Sequence, residues 1–457
     1  MKNPNIIFFT IDGLRADKFT GKTKTSITPN LDKLIKNGTY FSQCISCADG
    51  TILALNAMLS GIFPFRTGTR AKEVQMNRSN YIHILKNNGY HIYGIIPDLT
   101  VLSRLRFNLE NSVNSFKGTP PNIERLWEGT GQKILNLFEP RKMKEPWFCY
   151  IHPNDLHNPV IVPEEFNDEK FGNSRYEKVL SSMDKWIGDV VKHIDLDKTI
   201  IIITADHGSI IPKGDLEYVD FEPEFKTGLN IGKKLMPHST HKIGMKIFVG
   251  LRNRIRDSRL KKANEGLTPY QIRSRLPHFR LTLFDELIRI PLLFVGKNIP
   301  GDKQVSQQVA NVDIFPTILD VLELSDNLQR DGRSLIPYFR GDIMEEREVY
   351  LHTIPYVEKS IDDKVGIRTP NYKYFRYARE PSENVNLYDL EKDPQENNNI
   401  ASENPEIVKE MEGILEELTK NATIESMDDM DDKRLERIHD ELRLLGYKKT
   451  LKENSNK

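Results

Sequence analysis

Five strongly apolar segments recur along the first two thirds of the chain, at 5–11, 89–96, 147–152, 199–204 and 290–296. Near-continuous apolar runs of this length are typical of strands that are buried on both faces of a sheet. Helical or loop-rich stretches separate the runs, which predicts a series of β-α-β units. We therefore expect an α/β fold whose mostly parallel sheet is sandwiched by helices.

Two of the covering helices are predicted from local signals. In the segment 28–38, Thr28 suits the N-cap, Pro29 the first helical position and Gly38 the stop. The apolar segment around 309–322 is predicted as the second.

The pattern changes at about residue 347 to short, aromatic, alternating segments, at 348–354, 365–369, 372–377 and 385–390. These predict a small antiparallel sheet, which a helix near 404–420 follows. An acidic run at 428–432 precedes Leu435, Ile438 and Leu442, whose helical spacing predicts an amphipathic helix packed on the body. We predict an α/β domain at 1–345, an antiparallel-sheet subdomain at 346–422, and a linker with a C-terminal helix at 423–457.

A long insertion at about 209–280 separates two of the predicted strands. It is basic in its middle, with apolar residues interleaved; the basic residues are Arg252, Arg254, Arg256, Arg259, Lys261 and Lys262. A cationic lid over an anionic substrate, a surface-seeking amphipathic helix and the solvated face of a helical hairpin all fit this pattern. The sequence leaves the choice open.

Charge and cysteine content narrow the range of partners. The 457 residues carry 65 Lys+Arg and 65 Asp+Glu, so composition does not favour a nucleic-acid partner. The three cysteines, Cys44, Cys47 and Cys149, provide no disulfide framework; Cys44 and Cys47 form a C-x-x-C that is either a reduced pair or a redox pair. Without a recognisable signal peptide or an apolar run of about 18 residues, we expect a cytoplasmic protein with no integral membrane segment.

The strongest chemical signal lies where two apolar runs end. The run at 199–204 leads into Asp206 and His207, and the run at 5–11 leads into Asp12, each close to a glycine. Ligand chemistry collects at the carboxyl ends of strands in open α/β sheets. Two carboxylates and an imidazole at that edge predict a divalent metal site, and the alternative is that both aspartates cap helices.

Several short motifs follow one another along the chain: I-D-G-L-R-A-D at 11–17, L-S-G-I-F-P-F-R-T-G at 59–68 and A-D-H-G at 205–208. Others lie at 28–32, 283–292, 312–317, 331–335, 372–374, 387–394 and 444–447. In this order the motifs resemble the sulfatase family, within the alkaline phosphatase superfamily, over nearly the whole chain. The resemblance implies an alkaline-phosphatase-like fold and a metal-dependent ester hydrolase, with 1–345 as the catalytic domain.

The chain departs from the family at the nucleophile. Sulfatases carry C/S-x-P-x-R nine residues before the Thr/Ser-Gly of the second motif, and the first residue is oxidised to formylglycine. That position is Thr51 here, with Leu53 and Leu55 in place of Pro and Arg. The resemblance therefore implies an unmodified threonine nucleophile, as in phosphodiesterase and phosphotransferase relatives, and Cys47 lies too early to replace it.

Thr51 also stands at the head of a predicted helix, 52–60, where it could act only as the N-cap. As a nucleophile it would form an ester from which sulfate cannot leave by collapse to an aldehyde, as it does from formylglycine. Water or an alcohol must attack the central atom instead. Phosphorus accepts such attack more readily than sulfur, which favours a phosphate ester or diester over a sulfate ester.

The resemblance implies further groups for substrate binding. His157 is predicted to contact the substrate oxyanion, Asp155 to serve as a possible second-metal ligand, and His278 to lie near the position of a family Lys or His. His241 is a rival to His278, and Lys242 could neutralise substrate charge.

The predicted metal ligands are Asp12, Thr51, Asp206 and His207. Such oxygen and imidazole donors suit Ca²⁺, Mn²⁺ or Mg²⁺, with Zn²⁺ as an option. The predicted function is hydrolysis of a phosphate or sulfate ester on a small molecule or glycan through a covalent Thr51 intermediate. Transfer to an alcohol acceptor such as a glycan or lipid precursor, and an inactive binding protein on the same fold, are the alternatives.

Overall fold

The computed structural model describes residues 3–67, 80–106, 108–119, 122–211, 261–275, 282–326, 328–353 and 363–420, with single positions at 258, 437, 440 and 441. The strands are β1 (Asn5–Thr10), β2 (Gly38–Ile45), β3 (His91–Pro97), β4 (Ser115–Phe116), β5 (Trp147–Ile151), β6 (Thr199–Thr204), β7 (Arg289–Gly296), β8 (Lys303–Val305), β9 (Val309–Ala310), β10 (Val349–His352), β11 (Lys364–Arg368), β12 (Tyr372–Tyr377) and β13 (Asn386–Asp389).

The α-helices are α1 (Ala16–Phe19), α2 (Pro29–Lys36), α3 (Thr51–Ser60), α4 (Pro64–Thr67), α5 (Tyr81–Asn87), α6 (Ser103–Arg106), α7 (Thr130–Leu137), α8 (Arg175–Val191), α9 (Pro269–Ser274), α10 (Asp285–Ile288), α11 (Ile314–Val321), α12 (Ile336–Arg340) and α13 (Pro405–Thr419). Short 3₁₀ turns lie at Thr100–Leu102, Leu126–Glu128, Glu164–Phe166, Glu169–Phe171 and Asn311–Asp313. Among the described helices, none is long and apolar enough to cross a membrane.

Nine of the described strands form the main sheet in the order β4-β3-β5-β1-β6-β7-β2-β8, with β9 also paired to β2. The five predicted apolar strands are all present, and every residue of the central β1 and β6 is buried. Most neighbours pair in parallel. The predicted α/β fold class, a mostly parallel sheet between helices, is confirmed.

The strand β7 differs from the expected parallel series, because it pairs antiparallel with both β6 and β2. The chain returns to the sheet along the edge where β6 ends, and the amide of Gly208 donates to the carbonyl of Leu287 there at 2.7 Å. A strand that starts at that edge can only run back against β6. The apolar pattern predicts the strand but contains no information on its direction.

Two helix predictions need correction at their ends. The first helix ends at Lys36 with Asn37 as the C-cap, so Gly38 begins β2 rather than stopping the helix; Phe294 lies too close there to leave room for a β-carbon. The segment 309–322 is helical only from Ile314, after a short strand and a 3₁₀ turn.

The C-terminal antiparallel sheet is confirmed as a meander in the order β10-β11-β12-β13. The predicted helix after it is α13, which buries Met411 and Leu415 against this sheet. The amide of His352 donates to Cys47 O at 2.8 Å, so the small sheet adjoins the segment that leads into α3. The acidic run, most of the predicted terminal helix and the basic middle of the insertion lie outside the described residues, and the predicted domain boundaries stay predictions.

A buried ionic cluster joins the two sheets. Lys373 is fully buried, and its Nζ lies 2.5 Å from Asp285 Oδ1 and 2.6 Å from Glu396 Oε1. Arg368 contacts the same Asp285 carboxylate at 2.9 Å. One lysine therefore neutralises carboxylates from both sides of the junction.

We expect Lys373→Met to destabilise the protein by about 3–5 kcal/mol, because it removes the cation that lies between two buried carboxylates, of which Asp285 keeps Arg368 as a partner. Chemical denaturation measures this change. Lys392→Met is the matched control: its ammonium is exposed and 2.8 Å from Asp389, so the expected change is within about 0.5 kcal/mol. Equal losses in the two variants would contradict this account of the junction.

Candidate active site

The two strand-end aspartates lie side by side because their strands end in register. Thr10 of β1 pairs with Thr204 of β6, and an aspartate follows each threonine by two residues. Asp12 is 7% exposed and Asp206 is 1% exposed. The register of two adjacent parallel strands therefore places two carboxylates in one buried pocket.

Neither aspartate caps a helix within the described ranges. The helix after Asp12 begins at Ala16 with Arg15 as its N-cap, and the described residues that follow Asp206 are not helical. Asp206 Oδ1 instead accepts from the backbone amides of His207, at 2.9 Å, and Gly13, at 3.4 Å. The capping alternative is wrong.

The turn after Asp12 is tightly fixed. Gly13 has φ +75°, and a β-carbon there would lie 2.5 Å from Ser209 Oγ, so glycine is required both by conformation and by space. The Tyr176 hydroxyl donates to Gly13 O at 2.8 Å and accepts from the Arg15 amide at 3.0 Å. Helix α8 thereby braces the turn that presents Asp12.

One ring nitrogen of His207, Nδ1, is hydrogen-bonded to the backbone, and the other, Nε2, faces the two aspartates. The Nδ1–H donates to Gly208 O at 2.7 Å, which leaves the lone pair on Nε2 when the ring is neutral. That Nε2 lies 3.6 Å from Asp206 Oδ2 and 3.7 Å from Asp12 Oδ1. Burial alone would lower the pKa of His207, but the carboxylates of Asp206 and Asp12, with Asp49, raise it above the ordinary value.

The donor set fits a divalent cation. Asp12 Oδ1 and Asp206 Oδ2 are buried and have no hydrogen-bond partner among the described residues, an arrangement that is costly unless a cation neutralises both. The donor atoms of Asp12, Asp206 and His207 all lie within 4.8 Å of one another. Although burial would raise it, nearby His157, His152 and His207 hold the pKa of Asp12 well below its usual range. The pocket therefore presents the ionised Asp12 carboxylate, the Asp206 side chain and an imidazole as ligands.

Thr51 lies at the edge of this group. It is the first residue of α3, with Gly50 rather than Thr51 as the N-cap, so the predicted start of the helix is one residue late and the capping alternative is wrong. Its Oγ1 lies 3.3 Å from His207 Nε2. The half-buried hydroxyl thus stands at the helix N-terminus, which favours an incoming anion, and beside the metal-binding group.

The loop after β5 contributes a histidine that the sequence interpretation missed. His152 is 1% exposed and its Nε2 lies 3.9 Å from Asp12 Oδ2. The predicted His157 is half-buried, its Nδ1–H donates to Asn158 O at 2.9 Å, and its charge acts on Asp12. Both histidines therefore flank the site, and His157 is the more exposed.

Asp155 does not join the group that could hold a metal among the described residues. Its Oδ1 accepts from the Leu126 amide at 2.9 Å, and the guanidinium of Arg125 lies nearby. The family resemblance implies a possible second-metal ligand here, but the carboxylate is engaged with the segment at 125–128. Asp155 instead holds the loop that carries His157.

Burial raises the pKa of Asp155 from 3.8 to about 6. A raised carboxyl pKa means that its contribution to stability is present below pH 3.8 and is lost as the pH rises through about 6. We expect the stability of Asp155→Asn, relative to the unmodified protein, to improve by about 2 kcal/mol between pH 4 and pH 7. Urea unfolding at both pH values measures this difference, and parallel pH profiles of the two proteins would contradict it.

Another acidic residue near the centre was not predicted. Asp49 precedes Thr51 by two residues, and its Oδ2 accepts from the Thr282 amide at 3.1 Å. This contact brings the segment before α10 close to the head of α3. The predicted residues His278, His241 and Lys242 lie outside the described residues, so their roles stay predictions.

The cysteines offer no alternative chemistry. Cys44, Cys47 and Cys149 are buried and free. Burial raises the pKa of Cys47 to about 12 and that of Cys44 above its ordinary value, so neither presents the thiolate that redox exchange needs. The structure favours the reduced-pair interpretation of the C-x-x-C.

Family models match most of the chain. Residues 4–324 match the model described as Sulfatase. The chain belongs to the sulfatase family. Residues 279–421 also match the model of the C-terminal part of N-sulphoglucosamine sulphohydrolase. The predicted family is confirmed, and with it the assignment to ester hydrolases at the level of the family.

Curated relatives carry sulfatase names. Human arylsulfatase K is 30% identical over 454 residues, which cover 89% of this chain and 80% of that protein. Mouse arylsulfatase K is 30% identical over 135 residues, or 28% of this chain and 24% of that protein. A Delta 4,5-hexuronate-2-O-sulfatase of Bacteroides thetaiotaomicron is 30% identical over 131 residues, or 27% of this chain and 26% of that protein. The mouse and Bacteroides alignments thus span about a quarter of those relatives.

Solved structures share the fold at low sequence identity. A 2-O GAG sulfatase superposes with TM-score 0.64 at 16% identity, covering 95% of this chain and 96% of that one. The phosphonate monoester hydrolase of Agrobacterium radiobacter superposes with TM-score 0.63 at 15% identity, covering 92% of this chain and 96% of that one. A neighbour solved in complex with D-glucosamine-2-N,6-O-disulfate superposes with TM-score 0.59 at 18% identity, covering 92% of this chain and 98% of that one. These likenesses establish the fold alone.

Proposed function

We propose that this sulfatase-family protein is a metal-dependent hydrolase of phosphate or sulfate esters that uses Thr51 as its nucleophile. One observation carries the proposal. The Thr51 hydroxyl lies 3.3 Å from His207 Nε2, in the pocket where Asp12 Oδ1 and Asp206 Oδ2 have no partner from the described part of the chain. A nucleophile, two carboxylate oxygens and an imidazole lone pair therefore converge on one point.

Asp12, Asp206 and His207 would hold the ion, with the Thr51 oxygen as a further ligand. A divalent cation supplies Lewis acidity that lowers the pKa of a bound hydroxyl, as it does for bound water. Ca²⁺, Mn²⁺, Mg²⁺ and Zn²⁺ all suit this donor set. The chain contributes the fixed His207 lone pair and the two carboxylates that neutralise the charge.

The reaction takes place in two steps. Thr51 Oγ1 attacks the central phosphorus or sulfur atom, the bond to the ester oxygen breaks, and the alcohol departs with a proton. Water then attacks the same atom of the Thr51 ester, which releases inorganic phosphate or sulfate and restores the threonine. His157 is half-buried beside Asp12 and is suited to contact the anionic oxygens throughout.

The nucleophile favours a phosphorus centre over sulfur. A threonine ester must be cleaved at its central atom, and phosphorus accepts this attack more readily. The phosphonate monoester hydrolase among the structural neighbours shows that a phosphorus-directed enzyme shares this fold. Sulfate-ester hydrolysis is the second candidate, which the names of the curated relatives favour.

The substrate class is proposed to be an ester on a sugar or other small molecule. A hexuronate-2-O-sulfatase is among the relatives and a glucosamine disulfate complex is among the structural neighbours, which supports a glycan substrate. We also propose a cytoplasmic location, in keeping with the three free, buried cysteines of the chain.

A substrate panel tests the proposal. Nitrophenyl phosphate, bis-nitrophenyl phosphate, a phosphonate monoester and nitrophenyl sulfate are each incubated with Mn²⁺, Mg²⁺, Ca²⁺ or Zn²⁺. We expect metal-dependent turnover, with phosphorus esters preferred, and its loss in Asp206→Ala. Folded protein that binds none of these ions would support the inactive binding protein instead, and turnover with sulfate alone would support the second candidate.

A further inference from the structure

The two oxygens of Asp12 face different groups. Oδ1 has no hydrogen-bond partner among the residues that the structure describes and lies 3.7 Å from His207 Nε2, within the group of metal-binding atoms. Oδ2 lies 3.9 Å from His152 Nε2. One carboxylate oxygen thus lies in the proposed metal site, and the other faces a second histidine. The proposed reaction assigns no role to this histidine.

The other nitrogen of that histidine is fixed by a tyrosine. Tyr150 OH lies 2.9 Å from His152 Nδ1. Burial holds the pKa of Tyr150 well above its usual range, so the phenol keeps its proton and can donate it. The opposite assignment would direct the Nε2 lone pair at the Asp12 carboxylate, an unfavourable contact. Tyr150 is therefore the donor, Nδ1 the acceptor, and Nε2 bears the hydrogen.

The Nε2–H of His152 is a buried donor whose neighbouring acceptor is the Asp12 carboxylate. His152 is 1% exposed, and its Nε2 has no hydrogen-bond partner within the described part of the chain. A buried donor without an acceptor is costly, and the Asp12 carboxylate is the anion beside it. Catalytic hydrogen bonds are often long before the ligand binds and shorten in the complex.

His152 does not act by direct ligation or by substrate contact. Among the described residues, the group whose donor atoms all lie within 4.8 Å of one another consists of Asp12, Asp206 and His207. His152 is not a member of this group, although its Nε2 lies 3.9 Å from Asp12 Oδ2. Its burial also separates it from any substrate, in contrast to the half-buried His157. Its effect on the centre must pass through Asp12.

We propose that Tyr150 and His152 form a positioning relay that holds Asp12 Oδ2, so that Oδ1 is presented to the divalent ion. The relay rests on the proposed metal-dependent function. His152 and His207 are fixed in opposite tautomers: the Tyr150 hydroxyl leaves the hydrogen of His152 on Nε2, and the Gly208 carbonyl keeps that of His207 on Nδ1. Outer partners of this kind pre-organise a ligand and strengthen metal binding.

Titration calorimetry with Mn²⁺ alone, on the full chain, tests the relay. We expect His152→Ala to weaken Mn²⁺ binding by about 10–100-fold. His152→Gln should recover part of the loss, because the amide can donate near the Nε2 position. Tyr150→Phe should weaken binding by a smaller factor. Tyr81→Phe is the matched control, since the Tyr81 hydroxyl is also buried but has no hydrogen-bond partner in the described ranges, and the affinity of this variant should not change.

Nitrogen-15 NMR of histidine-labelled, metal-free protein provides a second readout that a merely structural role would not affect. At a pH where both rings are neutral, we expect the hydrogen on Nε2 of His152 and on Nδ1 of His207, and loss of the fixed His152 tautomer in Tyr150→Phe. Unchanged Mn²⁺ affinity in both His152 variants, or a hydrogen on His152 Nδ1, would overturn the relay while leaving the proposed function intact. A parent protein that binds no Mn²⁺, Mg²⁺, Ca²⁺ or Zn²⁺ would overturn the proposed function as well. If His152→Ala does not fold, the Gln and Tyr150→Phe variants carry the test.

Discussion

Replacing Thr51 by alanine should lower kcat by about 10⁴-fold or more while leaving the fold and the other three metal ligands, Asp12, Asp206 and His207, in place. The loss is large because the variant has no group that can form the covalent ester. The fold should change little, because the Thr51 side chain is half-buried and Gly50, not Thr51, is the N-cap of α3. Steady-state kinetics, with Mn²⁺ affinity and thermal unfolding measured on the same preparation, separate these effects.

The matched control is Thr51→Ser, which keeps the hydroxyl and removes one methyl group. We expect its kcat to fall by no more than about 100-fold, which is the effect expected when a nucleophile is retained but less well oriented. Undiminished turnover in Thr51→Ala would show that water attacks the substrate directly and would discard the nucleophile assignment. Equal losses in the alanine and serine variants would indicate a packing role for Thr51.

The second large effect is expected for Asp206→Asn, which should raise the stability of the metal-free protein and lower its affinity for the metal ion. Asp206 Oδ2 is buried without a hydrogen-bond partner among the described residues and lies 3.6 Å from His207 Nε2. An amide there removes a buried charge and can donate to that nitrogen, while Oδ1 keeps its backbone contacts. The metal-free variant should therefore be more stable than the metal-free parent by about 1 kcal/mol, although metal ligation is impaired.

Metal affinity should fall by more than about 100-fold in the same variant, since the loss of an outer partner alone costs about 10–100-fold. Thermal unfolding with EDTA and with excess Mn²⁺ measures both effects. The unmodified protein should gain stability from the ion by mass action, and the variant should not. A variant that is less stable than the parent under EDTA would contradict the view that this carboxylate is kept for the ion. Asp168→Asn, at an exposed position, is the control and should behave as the parent does.

Local sequence signals predict much of the fold. The central strands β1 and β6 are apolar throughout, so their burial on both faces was evident, and the rule that ligands collect at strand ends led directly to Asp12 and Asp206. The alternating aromatic segments likewise predict the four strands of the small sheet. The direction of β7 cannot be predicted in this way, because an apolar segment has the same pattern whether it runs parallel or antiparallel to its neighbours.

The site shows where sequence reasoning reaches its limit. His152, Asp155 and His157 share one loop, and their spacing does not reveal which side chain faces the metal-binding group. Three-dimensional pairing decides this: β5 lies in register with β1, so the residue that follows Ile151 lies beside the end of β1, while the Leu126 amide engages Asp155. The strand-end rule applied to β5 would have identified His152.

Trapping the covalent intermediate shows whether Thr51 is the nucleophile. The protein is mixed with its best substrate and Mn²⁺, quenched in acid within the first turnovers, digested, and mapped by mass spectrometry. We expect a phosphoryl or sulfuryl group on Thr51, and none on the Thr51→Ala variant. A modification on a different residue, or inversion of configuration at a chiral phosphorus centre together with no adduct at Thr51, would contradict a covalent Thr51 intermediate.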